Sequence, residues 1–144
     1  MGADEMGRVL TEATVYNAND HAEMRMGKRA PEHARKIEIA EALVDTGATA
    51  LSMPKSLIDQ IGLVKQYEKR ATTAAGLQTF NVYGPARLVI MGREAPTDVI
   101  EVPEGTPVRI GQIPLEWMDW VIDMRNRKLI GNPAHGGEHI LELL

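Results

Sequence analysis

Around residue 40 the chain changes its hydrophobic rhythm. Ile37, Glu38 and Ile39 alternate, and then Ala42, Leu43 and Val44 run apolar without a break into Asp45-Thr46-Gly47. Alternation is the period of a strand with one wet face, and its conversion into a continuous run predicts a strand entering the core. Upstream, residues 9–16 scatter apolar positions among Thr and Glu, which predicts another strand. Residues 17–31 are polar, charged and small, which predicts a long loop. Downstream, residues 52–62 predict a short helix with both ends marked, by Ser52 as a cap, Pro54 near the first turn and Gly62 at the exit.

Further β-type runs at residues 78–83, 87–91, 97–102 and 108–110 are separated by Gly, Pro or charged breaks. A second short helix over 114–119 precedes a hairpin in which 120–123 pairs with 128–130 across residues 124–127. No segment repeats. The pattern predicts a mainly β fold with one or two short helices, organised as a single domain over residues 1–144.

Composition narrows the function. A chain of 144 residues buries about two thirds of the surface its unfolded form exposes, so a core needs neither metal nor disulfide. Cysteine is absent, which removes a thiolate nucleophile and a Cys-ligated zinc site. A net charge of -4 argues against a nucleic-acid surface, which needs a clustered excess of Lys and Arg. The loose basic group Lys28, Arg29, His33, Arg35 and Lys36 reads as a solvated connection. The first eight residues lack a basic stretch followed by an apolar run, and about 18 consecutive apolar residues occur nowhere. The expectation is a soluble, unsecreted, cytoplasmic protein that engages no membrane and needs no cofactor.

Asp45-Thr46-Gly47 is the most informative tripeptide. A specified triplet appears by chance in about 2% of chains this long, so its context decides. Leu43 and Val44 before it and Ala48 and Thr49 after it complete LVDTGAT, the signature of the aspartic peptidases. The chain resembles the retropepsins, especially their single-lobe bacterial members and the retropepsin-like domains of eukaryotic shuttle proteins. The resemblance covers residues 36–132. After the signature come the short helix ending at Gly62, a segment over 72–82 centred on Gly76 that resembles the flap hairpin, then Val108-Arg109-Ile110-Gly111, a helix and the strand 120–123, in the order of that family.

The resemblance implies a retropepsin-like acid-protease barrel. Asp45, Thr46 and Gly47 would be the catalytic residues, and Thr46 of each subunit would hydrogen-bond across a dimer axis. Ala48 and Thr49 would lie against substrate. Ala74, Ala75, Gly76, Leu77 and Phe80 would cover it, and Ile110 would lie under the catalytic loop. Metal-free peptide hydrolysis needs one carboxylate to take a proton from water and one protonated carboxyl to give a proton to the scissile carbonyl. Two carboxyls about 4 Å apart repel by about 4 kcal/mol at an effective dielectric of about 20, so they share one proton, as those of aspartic peptidases do. The motif occurs once, so the second carboxyl must come from another copy, and a two-fold homodimer acting on a peptide or protein substrate is the economical solution.

Other readings of the same residues stay open. Asp-Thr-Gly is also good turn chemistry, and the same fold without catalysis would serve as a peptide-binding or assembly module. Asp119 and Asp123 lie beside apolar residues as possible carboxyl partners within one chain, although Asp123 reads more simply as a turn residue. His135 and His139 flank two glycines that argue against a helix, so their spacing does not align the imidazoles for zinc. Trp117 and Trp120 read as packing residues. The apolar stretch 140–144, or the strand at 9–16, would interleave at a dimer interface by the family resemblance; a strand on the parent subunit fits equally well.

Overall fold

The computed structural model describes residues 8–143. Fifteen of them, Gly76–Ile90, form one strand, β5, that pairs with three others. Its first half forms a hairpin with β4 (Val64–Thr73), and its second half pairs with β1 (Leu10–Asn17). Along its other edge runs β6 (Arg93–Val102), with a register shift between Tyr83 and Ala86. The remaining members of the sheet are β2 (Lys36–Val44), β3 (Leu51–Pro54) and β7 (Arg109–Ile110), in the order β1-β2-β7-β3-β6-β5-β4. Because β1 also pairs with β5, six strands close on themselves and only β4 hangs outside the ring. Strands hold 49% of the residues and helices 19%, so the fold is mainly β.

The ring encloses Val15, Leu51, Met53, Leu88, Ile90, Val99 and Ile110. Helix α2 (Lys55–Gln60) adds Ile58, and α3 (Gln112–Trp117) adds Leu115. A separate hairpin of β8 (Trp120–Asp123) and β9 (Lys128–Gly131) packs alongside through Leu129. It forms where the apolar runs and the intervening turn place it. Asp123 takes hydrogen bonds from the backbone of Arg125 and Asn126 and from the Asn126 side chain, so it is a turn residue.

Four expectations need correction. Residues 17–31 are not one loop, because Ala18–Arg25 forms helix α1. Asn17 caps it by accepting from the Asn19 and Asp20 amides, at 3.0 and 3.1 Å. The helix has no apolar stripe to reveal it; buried Asp20 anchors it through the Arg35 amide and guanidinium. Arg29 also approaches Asp20, so part of the basic group is structural. Ser52 does not cap a helix, because it lies buried in β3 and α2 starts only at Lys55. The two runs at 78–83 and 87–91 are one strand bulged at its middle. Strand β1 itself pairs with β2 along residues 10–16 and with β5 along residues 14–17.

The exposed segment Val64–Thr73, which carries no apolar alternation, is a strand held by β5. Helix α3 begins two residues earlier than the pattern suggests, and Asp119 lies beyond its end at φ 56. Residues 138–143 form no strand; Leu144 lies outside the described residues. Among the described residues no helix is long and apolar enough to cross a membrane.

Candidate active site

Strand β7 lies between β2 and β3, parallel to the first and antiparallel to the second. The chain leaving β2 must therefore arch over the end of β7 to enter β3, and residues 45–50 make that arch. It is pinned along its length. The Asp45 amide donates to the Ile110 carbonyl at 2.9 Å, and the Gly111 amide donates to Ala50 at 3.1 Å. The first amides of α3 complete the set, Gln112 on the Ala48 carbonyl at 2.9 Å and Ile113 on Thr49 at 3.0 Å. Gly111 is buried against the arch so closely that a Cβ would meet backbone atoms of Thr49 and Ala50. Only a residue without a side chain permits that crossing.

At the front of the arch Asp45 is half-buried while Thr46 and Gly47 are exposed. The Gly47 amide donates to Asp45 Oδ1 at 3.0 Å. Among the described residues no hydrogen bond reaches the other carboxylate oxygen, Oδ2, which leaves it available to water. A Cβ on Gly47 would stand 3.2 Å from Oδ1, so glycine keeps the carboxylate uncrowded on that side.

Behind the arch a groove of about 300 Å³ runs between Thr49 and Ala50, the β4–β5 hairpin, β6 and the start of α3. Its walls are mainly apolar, from Ala71, Phe80, Val82, Ile100, Ile113 and Pro114, with Tyr67, Lys69 and Asp98 among its polar members. The Tyr67 hydroxyl donates to Asp98 at 3.2 Å, and that hydrogen bond raises the Tyr67 pKa above its ordinary value.

The structure thus brings Asp45, Thr46, Gly47, Ala48 and Thr49 into one loop and Phe80 and Thr49 into one groove. Ile110 meets the site only through its carbonyl, because its side chain is fully buried in the core. Ala74, Ala75, Gly76 and Leu77 form the exposed tip of the hairpin, where Thr73 pairs with Gly76. They are not among the residues that line the groove. The hairpin lines it instead with its stem, including Tyr67, Lys69 and Ala71, which sequence reasoning missed. Their i, i+2 spacing marked a common strand face, but nothing in their types showed that this face borders the groove.

Thr46 also borders a second cavity of about 290 Å³, shared with Gln112, Leu115, Trp120, Val121, Ile122 and Met124. Trp117 is half-exposed. Trp120 packs on the core beneath the Arg93 guanidinium, 3.9 Å from its ring centre. The two histidines have separate partners: His135 lies against Asp119 and Glu142, and His139 Nε2 is 3.0 Å from the Trp117 carbonyl. Among the described residues no group of three or more His, Cys, Asp or Glu side chains is placed to hold a metal ion.

Fold and site together define a mainly β protein that presents a single aspartate on a pinned loop beside an apolar groove. No protein-family model matches the chain, and no curated protein matches it.

Proposed function

We propose that the chain is one subunit of an aspartic endopeptidase with a retropepsin-like barrel, active as a homodimer. The observation that carries the reading is the placement of Asp45. The acid of the LVDTGAT signature stands at the front of a pinned arch, with one oxygen held by the Gly47 amide and an apolar groove behind it.

In this reading two copies of Asp45 share one proton and one water. The ionised carboxylate removes a proton from the water as its oxygen adds to the carbonyl carbon of the peptide. The protonated carboxyl gives its proton to the carbonyl oxygen, which yields a tetrahedral diol. As the diol collapses the C–N bond breaks, the departing nitrogen takes a proton from the protonated carboxyl, and the ionised carboxylate takes one from a diol hydroxyl, which restores the singly protonated dyad. The Gly47 amide orients the carboxylate throughout, and Thr46, exposed beside the second cavity, is the residue that would meet its counterpart across the axis. The groove suits a large apolar side chain of the substrate, held against Phe80, Val82 and Ile100.

Asp45→Asn tests the proposal. It is isosteric, still accepts from the Gly47 amide and cannot serve as the base, so peptide cleavage should disappear while fold and dimer persist. Cleavage by purified Asp45→Asn at the wild-type rate would overturn the assignment. A stable monomer that binds peptides without cleaving them would leave the fold as a binding module. Statine-type compounds, which imitate the diol, should inhibit.

A further inference from the structure

Outside the arch, a tightly organised ionisable group lies where the chain leaves α3. Asp119 is buried, with a side chain 9% exposed, and accepts three hydrogen bonds. These come from His135 Nδ1 at 2.6 Å, Asn132 Nδ2 at 3.2 Å and the Ile140 amide at 3.2 Å. The other nitrogen of the same ring, His135 Nε2, is 3.0 Å from Glu142 Oε1. Both ring nitrogens thus face carboxylates, and a carboxylate only accepts. That geometry is satisfied when both nitrogens carry hydrogen, which is the imidazolium.

A neutral ring has one hydrogen to give. It belongs on Nδ1, facing the buried carboxylate at the shorter distance. Nε2 would then point a lone pair at the Glu142 carboxylate, turning an attraction into a repulsion. Among the described residues, few other contacts hold that segment. Leu143 is 87% exposed, so burial contributes little at that position, and Leu141, 41% exposed, is only partly covered. Upstream the segment has independent anchors: Arg93 Nη2 donates to the Gly137 carbonyl, His139 meets the Trp117 carbonyl, and the Ile140 amide donates to Asp119.

We propose that His135 is a protonation-dependent clasp: as an imidazolium it ties residues 141–143 to buried Asp119 through Glu142, and on losing a proton it loosens that segment. The clasp is independent of the peptidase reading and requires no catalytic activity.

The ionisable groups around the ring agree on the direction. Asp119, between α3 and β8, and Glu142, in the segment itself, both hold the His135 pKa above its ordinary value of 6.5, Asp119 first. Arg93 from β6 is the opposing cation, but its guanidinium is turned onto the Met118, Asp119 and Gly137 carbonyls. Glu138 and His139 complete the neighbourhood on the ring's own segment. A raised histidine pKa makes the tie complete below 6.5 and loosens it as pH rises through the raised value. The hydrogen bond from His135 leads the causes that lower the Asp119 pKa, so the buried half of the tie survives to acid pH.

The test is an NMR titration of the full 144-residue chain from about pH 5 to about pH 9, across the range where histidines change charge. It follows the His135 ring proton and the backbone amide heteronuclear NOEs of Leu141, Glu142 and Leu143. The expected result is a His135 midpoint above 6.5 with the three NOEs falling over the same interval. In Glu142→Gln the carboxamide can meet either form of the ring, so the NOE step should vanish and the His135 midpoint should drop by about 0.5, the scale of one exposed ion pair. In His135→Gln residues 141–143 should be mobile at every pH. NOEs in the wild type that do not change across the His135 titration, or an unaltered step in Glu142→Gln, would overturn the proposal.

Discussion

Gly111 and Ala50 cross at backbone distance: a Cβ built on Gly111 would stand 2.5 Å from the Ala50 amide nitrogen. The atoms in the way belong to the main chain of the arch that carries Asp45, so no rotamer change relieves the overlap. Gly111→Ala should therefore cost about 2 kcal/mol or more and displace the arch. Urea unfolding measures the first effect; loss of the amide protection of Asp45 and Ala48 reports the second. A variant as stable as the wild type would mean that the two segments slide apart easily.

The proposed homodimer predicts how Asp45→Asn behaves in mixtures. If both carboxyls are required, subunits exchanged at equal amounts form active pairs in about a quarter of the dimers. Peptidase activity in such a mixture should fall to about 25% of that of the wild type. A fall to one half would mean that each chain acts alone, and sedentary subunits are excluded by mixing under conditions where mass measurements show exchange.

The groove predicts a size limit. Ile100 lines it and is only half-buried, so Ile100→Trp can fill space without rebuilding the core. For peptides with a large apolar residue beside the cleaved bond, kcat/KM should fall about 10-fold or more, with less effect on peptides carrying alanine there. Parallel kinetics on matched peptides would show whether the losses differ.

Acid stability should depend on Asp20. The Arg35 guanidinium and amide hold its pKa at about 2, against 3.8 in the open chain, while burial opposes them. A lowered carboxyl pKa contributes stability that is complete above 3.8 and is lost as pH falls through about 2. At about 1.36 kcal/mol per pH unit the shift corresponds to about 2 kcal/mol, trimmed to about 1–2 kcal/mol because Arg35 is half-exposed to screening water. Urea midpoints of wild type and Asp20→Asn should differ at neutral pH and converge as pH approaches 2.

Local pattern and local turn chemistry determined a good part of this protein. The apolar run at Ala42, Leu43 and Val44 announced a strand ending at Asp45, whereas the hairpin around Gly76 was expected only from the family resemblance of residues 72–82. The hairpin of 120–123 with 128–130 followed from the apolar runs and the residues between them. Such signals survive in a bare sequence because they concern residues only two to four positions apart.

Tertiary structure alone decided the rest. Helix α1 has no apolar period and exists because Asp20 reaches Arg35, 15 residues away. Closure of the ring depends on β1 meeting β5 across more than 70 residues of chain, and the groove draws its walls from five separate elements. The clasp of Asp119, His135 and Glu142 is of the same kind. Buried ionic partners and pockets are made by distant residues meeting, and their types and spacings in the sequence carry no record of which ones meet.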